Sequence, residues 1–421
     1  MRYFEPNLNG IFSAILHKKG MALWFCVTFA RHFVMLGFVL SSIVKHLKIA
    51  LNTRFLLPGQ LEGFGWYTHE IARRMAVQHP EDEFFFLFDR PFDAQFVYGK
   101  NVTPVVLPPR ARFAPQFYFW FEWAVPKALK AIGADVFFSP DAMCSLSTKT
   151  PSVMTCHDLV PLHYPAQIPL IHRHYLLHFL PKHLRRADRV LTVSDYVRQD
   201  IFQTCGIPLE KITTVHNGCR EGFYPLQDFE KQQIRNEYAN GQAFFFYVGA
   251  IHPRKNIPHL IRAFDLFINK TAAPVKLLLA GRFAWETGEV KTAFEQANSR
   301  ANIRFLGHLE NEKLPKLMAS ALALTYVSIS EGFGLPVLEA MNTDTPVLTA
   351  NTTSLPEVAG DAALLVDPFS EIAIAEGLEK LWRDENLRQK LIEKGRVQRQ
   401  KFSWDVAAQR IYQILKETAA K

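Results

Sequence analysis

Cysteine is scarce: the 421-residue chain has five, at 26, 144, 156, 205 and 219, with no Cys-x-x-Cys spacing. An odd, scattered set excludes a disulfide framework and a cysteine zinc site, and fits buried thiols in a reducing compartment. No Walker A sequence occurs. The segment Gly63-Phe64-Gly65 lacks the third glycine of a dinucleotide fingerprint, which argues against a nicotinamide enzyme. No Asp-x-Asp pair follows an expected strand, so a carboxylate-held metal is not expected. Repeats and low-complexity tracts are also missing. So is an unbroken apolar run long enough to span a bilayer, which takes about 20 residues. Met21–Ala30 and Phe33–Val44 are apolar, but Arg31 and His32 interrupt them, and a central arginine costs at least a few kcal/mol. No small-residue cleavage site marks a signal peptide. Three readings of residues 1–47 stay open: a helix lying on or in a membrane, a poor transmembrane anchor, or upstream sequence read from a mis-set start.

About half the residues are apolar and the chain is too long for one ordinary core, so two domains are expected. A net charge of +8 favours anionic partners such as nucleotides, phospholipids or nucleic acid. Short β-rich runs alternate with helical patterns from Lys48 onward. That alternation predicts α/β architecture: parallel sheets with helices on both faces. The polar stretch from Asn217 to about Gln242 reads as a linker. The expected domains are 48–225 and 240–403, with a last helix over 404–421.

Residues 331–339 are the most informative. They read Glu-Gly-Phe-Gly-Leu-Pro-Val-Leu-Glu, after the strand-like run Ala323–Val327 and before a helical pattern. Proline suits the first helical position. Gly332 and Gly334 make a tight turn whose amides face whatever lies before the helix, and such a terminus favours an anion. Glu331 in the loop and Glu339 on the first turn then flank a phosphate, each ready to accept from a sugar hydroxyl. A nucleotide sugar has that chemistry. The plainer alternative makes Glu331 a helix cap and Glu339 a solvated acid.

This stretch resembles the Glu-x7-Glu signature of retaining GT-B glycosyltransferases of family 4, and the likeness runs from about residue 48 to the C-terminus. The resemblance implies two Rossmann-like domains facing across a cleft, the second holding the nucleotide sugar. It implies that Glu331 bonds a donor-sugar hydroxyl and Glu339 the ribose. The amides of Gly332, Phe333, Gly334 and Leu335 would hold the sugar and diphosphate. It also implies that the last helix crosses back to the first domain.

Other segments follow expected strands. Pro253-Arg254-Lys255-Asn256 offers a planar fork and a point charge to one diphosphate; its form is similar to the mannosyltransferase-like branch. Gly249 precedes Ala250, where many relatives have arginine, and Arg254 would take over that role. His157-Asp158 matches the family's His-Asp motif, so His157 would donate to a sugar hydroxyl or stabilise developing charge. A core histidine bonded to a carbonyl is the alternative. The glycine loop 59–65 matches a loop facing the donor phosphate and the acceptor, through Gly63 and Gly65, though it is longer and carries Glu62. Gly281-Arg282 and Gly307 to Leu309 would wall the nucleotide pocket. Finally His172, Arg173, His174, His178, Lys182, His183, Arg185, Arg186 and Arg189 crowd one segment. It reads either as a solvated helix face or as attraction to anionic lipid headgroups. Its aromatics lack a stacking pattern, so nucleic acid is not expected as a partner.

The expected function is metal-independent, retaining transfer of a mannose-like hexose. The donor would be GDP- or UDP-linked, with no other cofactor, and the acceptor a glycan or lipid-linked molecule in cell-envelope polysaccharide synthesis. The site would be cytoplasmic, at the inner face of the cell membrane. A nucleotide-sugar-binding protein without catalysis and a nucleotide-sugar epimerase are the alternatives. Fold alone does not separate the three.

Overall fold

The computed structural model describes residues 46–59, 61–282 and 288–420. The apolar extension expected over 1–47 lies almost wholly outside them. Among the described residues thirteen strands form two all-parallel sheets. The first contains β1 (Lys48–Asn52), β2 (Glu83–Phe88), β3 (Val102–Val106), β4 (Val136–Ser139), β5 (Ser152–Cys156), β6 (Arg189–Thr192) and β7 (Ile212–Thr214). Its order is β3-β2-β1-β4-β5-β6-β7. The second contains β8 (Ala243–Val248), β9 (Val275–Ala280), β10 (Ile303–Gly307), β11 (Ala323–Tyr326), β12 (Val347–Ala350) and β13 (Ala363–Val366). Its order is β10-β9-β8-β11-β12-β13. The strand order therefore reverses at β1/β4 and at β8/β11. Ligands of doubly wound sheets bind beyond the carboxyl ends of the strands at such a reversal.

The alternation of β-rich runs and helical patterns expected from Lys48 onward is present. Central parallel strands are covered on both faces and so read as continuous apolar runs. In β8, Ala-Phe-Phe-Phe-Tyr-Val, the four central residues are buried, and all four residues of β11 are. Helices appear where the sequence shows a weaker signal. One, Asp228–Ala239, lies inside the stretch read as linker, and Ala239 is its one buried residue. A helix that begins at Ala114 passes through the π-helical turn Trp120–Ala124 and continues to Ile132. The last helix, Trp404–Ala419, packs on Gly63–Gln78 beside the first sheet. There Tyr412 Oη donates to Asp82 at 2.7 Å, and Arg74 Nε donates to Asp405 at 2.8 Å.

Candidate active site

The loop after β11 carries Glu331, and the turn after β8 carries Arg254 and Lys255. β8 and β11 are neighbours at the reversal of the second sheet, so their loops meet. Local sequence shapes the turn. Pro253–Lys255 is one 3-10 turn, and His252 Nδ1 accepts from Arg254 N at 3.4 Å. Asn256 adopts φ +64, a left-handed conformation that asparagine tolerates. Its amide anchors the turn by donating to Val327 O at 3.0 Å and Pro368 O at 2.6 Å.

Lys255 Nζ lies 2.5 Å from Glu331 Oε1 and donates to Tyr326 Oη at 2.7 Å. Tyr326 Oη in turn donates to Glu331 Oε1 at 2.8 Å. Arg254 Nη1 donates to Glu331 Oε2 at 3.1 Å and to Ser330 O at 2.9 Å. Burial alone would raise the Glu331 pKa, but Lys255 and Arg254 pull it down to about 2. Burial presses Lys255 down to about 8, against the pull of Glu331. Burial also works against the Arg254 charge, but Glu331 and Asp158 more than offset it and raise its pKa. These three side chains, two cations and one carboxylate, are together net positive, and Asp158 acts on both cations from the loop after β5.

Gly334 stands before the helix Leu335–Asn342 at φ +108, a region glycine enters without strain. Pro336 is therefore the second helical residue, not the first, and Glu339 lies on the second turn, not the first. Ser354 Oγ donates to Glu331 O at 2.9 Å and Phe333 O at 3.0 Å, and Ser194 Oγ donates to Gly332 O at 2.6 Å. These bonds pin the loop by its carbonyls. Among the described residues the amides of Gly332, Phe333, Gly334 and Leu335 meet no protein acceptor, which is the condition for an anion site. A Cβ at Gly332 would stand 1.8 Å from His157 O, so the loop touches the opposite domain with no room for a side chain.

Glu339 is buried. Arg220 Nε and Nη2 each reach its Oε1 at 2.7 Å, which leaves Oε2 for another donor. Arg220 also lies over the rings of Trp66, at 5.0 Å, and Phe223, at 5.1 Å. Sequence reading missed Arg220. It sits in the polar stretch after β7, 119 positions from its partner, and nothing local announces it. Tyr326 was missed for a similar reason, because a tyrosine ending a buried strand looks like core.

His157 is half-buried after β5, edge-on to Tyr67 at 4.6 Å and Phe64 at 4.9 Å. Its Nε2 lies 2.8 Å from Pro140 O. A carbonyl only accepts, so Nε2 carries the hydrogen and Nδ1 offers a lone pair. Burial lowers its pKa, outweighing Pro140 and Asp158. The ring can therefore accept from a sugar hydroxyl, whereas the sequence suggested that it donates. Asp158 Oδ1 accepts from Val160 N at 3.1 Å, which holds the loop.

The remaining glycines fall into two groups. Gly249 and Gly281 directly follow β8 and β9, Gly307 ends β10, and a Cβ at Gly281 would lie 1.8 Å from Gly249 O. Gly281 N donates to Gly307 O at 2.7 Å, and Leu309 follows, half-buried. Gly63 is the first residue of its helix, with open space where a Cβ would sit. At Gly65 a Cβ would lie 2.8 Å from Phe55 O, so close packing explains that glycine. Arg282 pairs with Glu62 at 2.9 Å, both exposed, joining the glycine loop to the end of β9.

Two family models match the chain: Glycosyl transferases group 1 over residues 228–398 and Glycosyltransferase Family 4 over residues 61–221. The chain is 29% identical over 363 residues to O-antigen chain mannosyltransferase B of Escherichia coli, spanning 82% of this chain and 93% of that one. A sucrose-phosphate synthase from Thermosynechococcus elongatus has a similar fold: TM-score 0.71, 18% identity, 89% of this chain and all of that one. So does Anabaena HepE, solved in complex with UDP-glucose, at TM-score 0.69 and 18% identity, covering 88% of this chain and all of HepE. With paired parallel sheets and a cationic pocket at the reversal of the second, this chain belongs to the group 1, family 4 glycosyltransferases of the GT-B fold.

Proposed function

We propose that the protein transfers a mannose-like hexose from a GDP- or UDP-linked donor to a glycan or lipid-linked acceptor, with retention and without a metal, in cell-envelope polysaccharide synthesis. The observation that carries this is the net positive pocket of Arg254, Lys255 and Glu331 beside the open amides of Gly332–Leu335. A leaving nucleoside diphosphate gains negative charge as the glycosidic bond breaks. Fixed cations and helix-terminal amides stabilise that charge without reorganising. Glu331 occupies two of the Lys255 interactions, directly and through Tyr326, and one nitrogen of Arg254, so both cations keep donors for phosphate oxygens. Once phosphate shares those cations, Glu331 is free to accept from a sugar hydroxyl, and Glu339 Oε2 from the ribose. His157 Nδ1 accepts from the transferring sugar on the facing wall. The acceptor attacks from the face the diphosphate leaves, and a donor phosphate oxygen takes its proton. Closure of the two domains excludes water. The mannose assignment draws on the Escherichia coli relative, and the Pro-Arg-Lys-Asn turn agrees with it.

The test is a panel of nucleotide sugars read by release of nucleoside diphosphate, with the product anomer assigned by NMR. GDP-mannose should turn over fastest and yield the α-linked product. Inversion, or release from no donor in the panel, would overturn the reading.

A further inference from the structure

The segments 110–132 and 160–187 contain one acid between them, Glu122. Its carboxylate is occupied, accepting from Leu146 N at 2.8 Å. The same segments carry Arg110, Arg112, Lys127 and Lys130, then Arg173, Lys182, Arg185 and Arg186. In the fold they lie side by side: Phe117 is 5.9 Å from Tyr175, and Tyr118 is 5.8 Å from Phe179. The helix Leu170–Arg186 buries Tyr175, Leu180, His183 and Leu184. Its opposite face exposes Leu170, Ile171, His174, Leu177, His178 and Lys182 at helical spacing. The basic crowd is thereby sorted. His183 faces inward, Arg186 is tied to Thr148 O, and Arg189 to Glu210 O. Beside that face, Phe113, Phe119 and Trp123 stand open to solvent. Trp123 is 72% exposed, Ile171 66% and Leu170 63%; side chains such as Phe229 and Ile372 are as exposed, so it is the grouping of several on these two adjoining segments that is informative.

We propose that this face docks on an anionic bilayer. Trp123, Phe119, Leu170 and Ile171 enter the boundary between headgroups and acyl chains, and the surrounding lysines and arginines meet lipid phosphates. Large apolar side chains on segments rich in basic ones match that interface, the acids Asp188 and Asp200 that reach these segments being paired with Arg186 and His163, and indole settles at headgroup depth. Protein–protein interfaces are depleted in lysine, whereas these segments carry Lys127, Lys130 and Lys182. Among the described residues no helix is long and apolar enough to cross a membrane, so contact here lies along the surface.

The face also adjoins the cleft. Phe117 and Phe121 of the same segment flank the Arg54 guanidinium, at 5.0 Å and 5.2 Å. Arg54 pairs at 2.6 Å with buried Asp141, next to the Pro140 carbonyl that holds His157. Docking would thus present the acceptor side of the cleft to a lipid-linked acceptor. That step rests on the proposed transfer; the docking does not.

The experiment uses the full chain and tryptophan quenching by vesicles of bromine-labelled phosphatidylglycerol. The parent should be quenched, and Trp123→Phe should lose one quenched component. Leu170→Ser/Ile171→Ser, with Trp123 kept, should weaken quenching several-fold. Phosphatidylcholine vesicles or high salt should abolish the Trp123 component. Equal quenching of the parent and Trp123→Phe would overturn the proposal, because any membrane contact would then lie elsewhere. A Trp123 component that is the same on neutral vesicles would overturn its anionic character. Nucleoside diphosphate release with a soluble acceptor is measured alongside and should match in all variants. Lost turnover with intact quenching would count against the transfer reading alone.

Discussion

Glu331 and Glu339 share a motif but not an environment. Glu331 sits between two cations, Arg254 and Lys255. Glu339 is held by Arg220 and keeps one oxygen for a ligand. Glu331→Ala should therefore mainly lower kcat, and Glu339→Ala should mainly raise the donor KM and weaken nucleoside diphosphate binding. A lost hydrogen bond to a charged group costs about 1.5–3 kcal/mol, one to two decades. Steady-state kinetics with calorimetry of the free diphosphate decides it, and the reverse pattern would show that the roles are swapped. Arg220→Gln should weaken diphosphate binding as Glu339→Gln does, and the double variant should be no worse than either alone; additive losses would mean that Arg220 acts independently. Lys255 yields a pH expectation. Its pKa is lowered to about 8, so it is charged below that pH and neutral above it. Turnover per free enzyme, kcat/KM, should fall as pH rises through about 8, and Lys255→Arg should remove that limb. An unchanged alkaline limb in Lys255→Arg would assign it to another group.

At the level of elements, the tight contact is the loop 331–334. A Cβ at Gly332 would meet the backbone of His157, and backbone cannot step aside as a flexible side chain can. Gly332→Ala should therefore push the facing loops apart and leave each sheet intact. Displacing reacting groups by about 1 Å can cost a hundredfold in rate. The expected result is a kcat drop of that order with little change in melting temperature. A large loss of thermal stability would show instead that the contact holds the fold. How legible each element is in sequence follows its burial. The central strands, such as β8 and β11, show as apolar runs because they are covered on both faces, whereas the edge strands β3 and β7 are only partly buried and carry threonines. The helix Asp228–Ala239 buries little apolar surface, so composition alone made it look like linker.

Across the whole molecule, several contacts tie the two sheets together. Glu357 accepts from Asp195 N at 2.9 Å and Tyr196 N at 3.1 Å, and its carboxylate meets His216 at 2.7 Å. These bonds, with Ser194 on Gly332 and Arg282 on Glu62, span the cleft. Glu357→Gln should make the ligand-free protein more open, read as a larger radius of gyration in solution scattering that donor binding restores. No change in radius would show that closure does not depend on this contact. Under the proposed reading Arg254 and Lys255 balance the diphosphate without a metal, so turnover should survive excess EDTA. Loss on chelation, restored by Mg²⁺ or Mn²⁺, would sink that assignment.

Sequence alone determined the parallel α/β class, the position of most elements and where the segments 253–256 and 331–339 stand relative to strands and helices. Each depends on local pattern: runs of apolar residues, glycines at turns, a proline at a helix start. It could not determine partners. The pairing of Arg220 with Glu339, the grip of Lys255 and Tyr326 on Glu331, and the closeness of Gly332 to His157 join residues made neighbours by strand order. So does the meeting of an aromatic turn with a basic helix on one surface. The His157 tautomer is likewise set by a carbonyl 17 positions away. Chemistry of that kind depends on distances across the chain, and only packing two sheets face to face sets those distances.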